Sequence, residues 1–473
     1  MSESVVAQPG SRTRSPWTWV PSLYFAQGIP YVVVAMSVSV VMYKRLGVSN
    51  AEIAFYTSWL YLPWVIKPLW SPFVDLFRTK RWWTVTMQGL VGLTLAAVAF
   101  AIPLPNFFLQ ATLALFCLAA FSSATHDIAA DGFYMLALPE HQQAAFVGVR
   151  STFYRIAMIT GEGLLVVLAG LMEKRTGHIP FAWSITFGVV ATLFLCLFAY
   201  HAWILPRPAA DTPKVHSGSG GVSREFFRVF AKFFTKDRIV LTMAFLLLYR
   251  FAEAQLIKMI GPFLLDPPAK GGLGLTTQQF GIAKGTIGVA GLLCGGILGG
   301  VVISRHGLKR WLWPMVLSIN LPGWVYIFLA YTKPASLLVI SAAVGIEQFA
   351  YGFGFTAYML YMIYVAEGEH KTAHYALCTG FMAMGMMLPG MLSGWMQQTL
   401  GGYQNFFIWV VISTIPCFVV SSLIRIPEDF GRRKSVPQAP LCTRCGYNLT
   451  GNVSGVCPEC GAAVPTATAP TKA

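Results

Sequence analysis

Charge is what this sequence has least of. Of 473 residues only 11% are Asp, Glu, Lys or Arg, whereas 55% are hydrophobic. A soluble domain carries about 25% charged residues, so the shortage excludes an ordinary globular protein and points to a chain that dissolves in lipid. Acidic residues are scarcer than basic ones, 19 against 34. The net charge of +15 does not point to nucleic acid, because most Lys and Arg sit in gaps between apolar runs. Also lacking are a nucleotide-binding loop and any Ser/His/Asp set that topology would bring together, so no enzyme is expected. The opening "MSESVVAQPGSRTRSPW" is polar and basic, and the first apolar run is too long for a signal peptide, so no cleavable signal is expected.

What is abundant is long apolar runs. They fall at about 18–43, 51–73, 82–102, 107–137, 144–172 and 181–204, then after a break at 239–265, 276–303, 311–331, 335–365, 372–399 and 404–425. The pattern predicts an all-α integral membrane protein of twelve transmembrane helices in two six-helix halves, residues 1–204 and 239–426. The linker at 205–238 is rich in Pro, Gly and Ser, and its "SREFFRVFAKFFTKDR" reads as a basic amphipathic helix beside anionic lipid. Basic clusters follow the second run (Arg78, Lys80, Arg81), the eighth (Arg305, Lys309, Arg310), the sixth and the twelfth. All lie on one side, which by the positive-inside rule places both termini in the cytoplasm.

An internal repeat joins the halves. "SPFVDLFRTKRW" after the second run aligns with "GVVISRHGLKRW" after the eighth, matching Lys80-Arg81 to Lys309-Arg310 and Asp75 to Ser304. The pair resembles the G-x-x-x-D-R-x-G-R-R signature of the major facilitator superfamily, once per half. That resemblance implies two halves rocking around a central site, with cytoplasmic charges (Asp75, Arg78, Arg305, Lys309, Arg310, and Lys67 nearby) as a conformational latch. The plain alternative for these loops is topogenic charge.

"LPWVIKPLWSPFVD" with "SSATHDIAADGFYMLALP" is similar to the peptide/acetyl-coenzyme A transporter family, which includes bacterial muropeptide permeases. Lys67, Trp70, Pro72 and Asp75 match its K-F-L-W-x-P-L-x-D pattern, and Asp127, Ile128 and Asp131 match Q-D-I-x-x-D-A, with His126 standing where Gln is usual. The resemblance implies proton-coupled import of an anionic solute such as an anhydro-sugar peptide. An acyl-coenzyme A carrier or an exporter of the same fold remains open, as does a non-transporting sensor.

Charges inside apolar runs cost roughly 2.5–3.5 kcal/mol each even on lenient scales, so each needs a partner, a cavity or a job. Asp127 and Asp131, four apart, share a helix face and are expected to meet Lys67, either in a cluster that changes with conformation or as static packing. Glu162 has Arg155 two turns earlier. Arg250 and Glu253 stand three apart, with Lys258 beyond them, and Lys284 lies in the eighth run. Glu347 has no basic group on its own helix, so it must bond across helices or hold a proton. Glu162, Glu347, Glu253, Asp127 and Asp131 are therefore candidates for proton coupling. Arg155, Arg250, Lys258 and Lys284 are candidates for an anionic solute. Gln27 and Tyr31 flank Gly28 and Pro30, which loosen the first helix where a solute could bind; close helix packing explains such glycines equally.

The C-terminal stretch 427–473 changes character. Cys442-x-x-Cys445 and Cys457-x-x-Cys460, separated by eleven residues and each followed by glycine, predict a cytoplasmic zinc ribbon at 441–461, a closed structural site and a surface for a protein partner. Disulfides are the alternative, disfavoured in a reducing compartment. The other five cysteines lie scattered in the apolar runs as small fillers.

Overall fold

The structure, a computed structural model, describes residues 14–212, 228–368, 370–432, 442–447, 449 and 455–463. Among these, eleven helices are long and apolar enough to cross a membrane. The first half contains α1 (Pro16–Arg45), then α2 (Asn50–Trp59) and α3 (Leu62–Leu76). It continues with α4 (Lys80–Ala101), α5 (Phe108–Ala137), α6 (Gly148–Thr176) and α7 (Ile179–Ile204). The second half contains α8 (Ile239–Leu265), α9 (Thr277–His306), α10 (Leu308–Thr332), α11 (Leu337–Ala366), α12 (Ala373–Thr399) and α13 (Tyr403–Leu423).

The expected second span is the one that departs. It divides into α2 and α3 at Leu60–Tyr61, so it is not among the eleven. Pro63 supplies the reason: it has no N–H to donate to Trp59 O, and its ring crowds that carbonyl. Elsewhere helix starts follow local chemistry. Ser49 and Glu52 form a reciprocal capping box at α2, and Thr276 and Gln279 form another at α9.

Three helices widen into π-type turns: Tyr31–Met36 in α1, Thr160–Leu165 in α6 and Gly281–Gly288 in α9. Such turns free backbone groups and are common at functional sites. Helix α8 is interrupted at Tyr249–Arg250.

The halves meet along α2–α3 against α12, α6 against α9, and α1 against α8. Approach is closest where side chains are missing. A Cβ on Gly285 would lie 2.0 Å from Glu162 O, and one on Gly394 would lie 2.2 Å from Asn50 O. Gly28 packs likewise, its missing Cβ 2.7 Å from Ala157 Cβ. Residues 228–234 of the linker are helical, and Phe233 is buried, stacked on Phe381 of α12 at 6.2 Å. That face docks on protein. Residues 213–227, with Lys214 and Arg224, lie outside the described residues.

Candidate functional site

Charge collects where the halves touch. Glu162 sits in the wide turn of α6, directly against the wide turn of α9 that carries Lys284. Attraction from the Lys284 ammonium reaches both Glu162 and Glu347. Glu347, on α11, accepts hydrogen bonds from Tyr326 Oη at 3.2 Å and Gln348 Nε2 at 2.8 Å. Across-helix bonding, one of the two options left open for it, is therefore present. At the interruption of α8, Arg250 donates to Glu253 at 2.7 and 3.1 Å and to Tyr351 Oη at 2.8 Å, its guanidinium lying over Phe355 at 4.9 Å. Lys258, five residues beyond Glu253, donates to Thr57 Oγ1 at 2.9 Å and lies 4.9 Å from the Tyr61 ring. Tyr31 packs its ring on Tyr61 and Trp64 at 6.2 and 5.3 Å. A cavity of about 20 Å³ opens between the halves, with Ser37, Tyr61, Glu162, Lys258 and Lys284 in its wall.

Two expected pairings resolve differently. Lys67 pairs with Asp127, as its position on α3 suggested, and Gln27 donates to the same carboxylate. Asp131 turns away to Arg150, at 2.6 Å, and accepts from Tyr24 Oη at 3.0 Å. Arg150 is clamped between the rings of Tyr24 and Tyr134 at 4.2 and 4.4 Å. Sequence reasoning missed Arg150, although its place early in the fifth run brings it beside the end of the fourth. Arg155 does not pair with Glu162; its guanidinium lies by Gly296 of α9 in the other half, 3.6 Å from where a Cβ would be. It forms no ion pair among the described residues.

The proposed latch residues are not gathered. Arg78 lies over Trp82 at 5.8 Å, Arg305 and Arg310 are exposed, and Lys309 pairs with Glu428 of the C-terminal stretch at 2.9 Å. The Asp75 side chain lies outside the described residues. A tighter network stands at the opposite end of the bundle. There Lys44 bonds Asp266 at 2.7 Å and Asn50 at 2.6 Å, while Tyr403 Oη donates to Asp266 at 2.5 Å and accepts from Asn50 at 2.8 Å. These contacts cross from one half to the other. Nearby, Glu173 accepts from Arg45 at 2.9 Å, Trp183 at 3.0 Å and Thr277 at 2.7 Å, the last also across halves. A cleft of about 530 Å³ lies over this network, walled by Lys44, Asp266, Lys270 and Gln397 among others. Neither Lys44 nor Glu173 was singled out in the sequence, because their partners lie in the other half or far along the chain.

His126 belongs to a buried chain in the first half. Gln88 Nε2 donates to His126 Nε2 at 2.9 Å, and Gln88 Oε1 faces His201 Nδ1 at 2.8 Å. His201 Nε2 meets Ser22 Oγ at 2.9 Å. This chain ties α1, α4, α5 and α7 together.

In the tail the four Sγ atoms of Cys442, Cys445, Cys457 and Cys460 lie within 4.8 Å of one another, and no disulfide joins them. Cys442–Cys460 and Cys445–Cys457 are each 3.6 Å apart. A zinc tetrathiolate with bonds of about 2.3 Å has sulfur–sulfur edges of about 3.8 Å, so the set fits. Gly446 and Gly461 turn each knuckle at φ +74° and +68°. Backbone N–H groups of Arg444 and Cys445 pull the Cys442 thiol down, whereas the crowding of the neighbouring thiols holds Cys445 and Cys460 up.

Comparison with known proteins agrees with this architecture. The family model described as Major Facilitator Superfamily matches residues 22–367. The anhydromuropeptide permease of Escherichia coli (strain K12) is 24% identical over 415 residues, 87% of this chain and 80% of that protein. Putative transporter AmpG 4 of Rickettsia conorii (strain ATCC VR-613 / Malish 7) is 25% identical over 411 residues, covering 84% and 94%. Among solved structures, a bacterial homologue of the human lysosomal transporter Spinster, inward-facing and unoccupied, aligns with a TM-score of 0.66 at 15% identity, over 87% of this chain and 96% of that one.

Proposed function

The chain belongs to the major facilitator superfamily, and from that premise we propose that it is a proton-coupled importer of an anionic solute of the anhydromuropeptide class. Its relatives are transporters, not enzymes, and the protein is integral to the membrane. In this reading α2 and α3 together make the twelfth crossing, and the basic loops place both termini in the cytoplasm of a bacterial inner membrane.

One observation carries the choice of an anion. At the interface between halves four cations (Arg155, Arg250, Lys258 and Lys284) face three carboxylates (Glu162, Glu253 and Glu347), which leaves a surplus of positive charge. A bound anion offsets that surplus. Protons travel through Glu347, Glu162 or both: neither forms an ion pair within the described residues, so each can lose and regain a proton without breaking a bridge. Asp127 and Asp131, bridged to Lys67 and Arg150, act instead as part of a cytoplasmic cluster that changes with access. The network at Lys44, Asp266 and Tyr403 ties the two halves together at the outer face. The tail holds one structural zinc ion and offers its surface to a protein partner.

Reconstitution tests the reading. Proteoliposomes given an inward proton gradient should accumulate labelled anhydromuropeptide, and a protonophore should abolish the accumulation. Folded protein that takes up nothing, with or without the gradient, would contradict the solute assignment.

A further inference from the structure

We propose that Lys258 is the docking point for a carboxylate of the transported solute, an inference that rests on the transporter reading and narrows it to one side chain and one functional group. Lys258 is 2% exposed. The other buried interfacial cations have carboxylates nearby: Arg250 is bridged to Glu253, and Lys284 attracts Glu162 and Glu347 without bridging either. Lys258 has none among the described residues. Its only hydrogen bond there goes to the neutral Thr57 hydroxyl at 2.9 Å, and the Tyr61 ring lies 4.9 Å away. An ammonium has three N–H donors, so two are left to give. A buried cation without an anion is a costly arrangement, and a ligand carboxylate removes that cost.

Placement supports the same role. Thr57 and Tyr61 come from α2 and the α2–α3 break, whereas Lys258 comes from α8, so a bound anion would touch both halves at once. The cavity beside Lys258 has about 20 Å³, room for a water-sized group such as one carboxylate oxygen and not for a whole sugar peptide. Its wall holds a second polar group: Ser37 Oγ is buried and faces Glu162 without closing a hydrogen bond. Glu162 shares the cavity but is attracted by Lys284, without an ion pair between them. Lys258 is thus the group with charge to spare, and its compact ammonium suits a single oxygen contact.

The test compares uptake of labelled anhydromuropeptide with uptake of the same compound carrying carboxamides in place of its carboxylates. Wild type should prefer the carboxylate form by about tenfold, the loss expected when a charged hydrogen bond is removed. Lys258→Gln should lose that preference by failing on the carboxylate form, and Lys258→Arg should keep part of it. Equal uptake of both forms by wild type, or an equal fall for both in Lys258→Gln, would overturn the inference. If folded wild type takes up neither compound, the solute assignment fails and thermal stability decides about Lys258. Succinate and glutamate, set against their amides at matched ionic strength, should then stabilise wild type and not Lys258→Gln. No difference between acid and amide would overturn the inference as well.

Discussion

Arg250 and Glu253 show what a buried ion pair asks of its surroundings. Both side chains are 8% exposed, and the guanidinium is also held by the Tyr351 hydroxyl and two aromatic faces. Removing one partner leaves an uncompensated charge in a dry site, a penalty of about 3–5 kcal/mol, whereas apolar replacement of both is often neutral. Glu253→Gln should therefore lower the melting temperature in detergent markedly, and Arg250→Met with Glu253→Leu should recover most of the loss. A double variant no more stable than the single one would mean that Arg250 is held by its other contacts. At this scale much was legible: the i,i+3 spacing of Arg250 and Glu253, and the reach of Lys67 to Asp127, follow from helix geometry. Arg155 and Glu162 misled because the wide turn at Thr160–Leu165 takes more residues per turn and so rotates one face past the other. Hydropathy carries no trace of such a turn.

Helices and loops were read well where composition changes abruptly and poorly where a single proline acts. The positions of the spans, the linker and the cysteine knuckles all came from runs of residue types. The division into α2 and α3 came from Pro63, whose effect depends on whether neighbouring helices tolerate the freed Trp59 carbonyl. The tail is the element whose chemistry is most self-contained. Purified protein should carry one zinc ion per chain by elemental analysis, and a strong chelator should remove it. Cys457→Ser should reduce the zinc content to near zero while uptake persists, because the ribbon fits an adaptor role outside the transport path. Retention of full zinc by Cys457→Ser would rule out the four-thiolate site.

At the scale of the whole molecule, the halves are held together by polar bonds at one end of the bundle. The all-helical membrane fold was readable from the long apolar runs, yet the network of Lys44, Asn50, Asp266 and Tyr403 was not. Its members lie up to 359 positions apart in the chain, and only the fold brings them within bonding distance. With that end outermost, Asp266→Asn should weaken closure and raise the population of the outward-open state. A cysteine placed at Gln397, which is 8% exposed beside the network, should then react with an impermeant maleimide about fivefold faster from outside. An unchanged rate would remove the network from any role in gating.

The central claim is that solute and protons move together, and it is tested most directly by watching protons while solute is added. Proteoliposomes containing an internal pH dye, with no imposed gradient, receive anhydromuropeptide from outside. The lumen should acidify with wild type and not with the double variant Glu162→Gln, Glu347→Gln. Solute entry by wild type without any change in lumenal pH would contradict it.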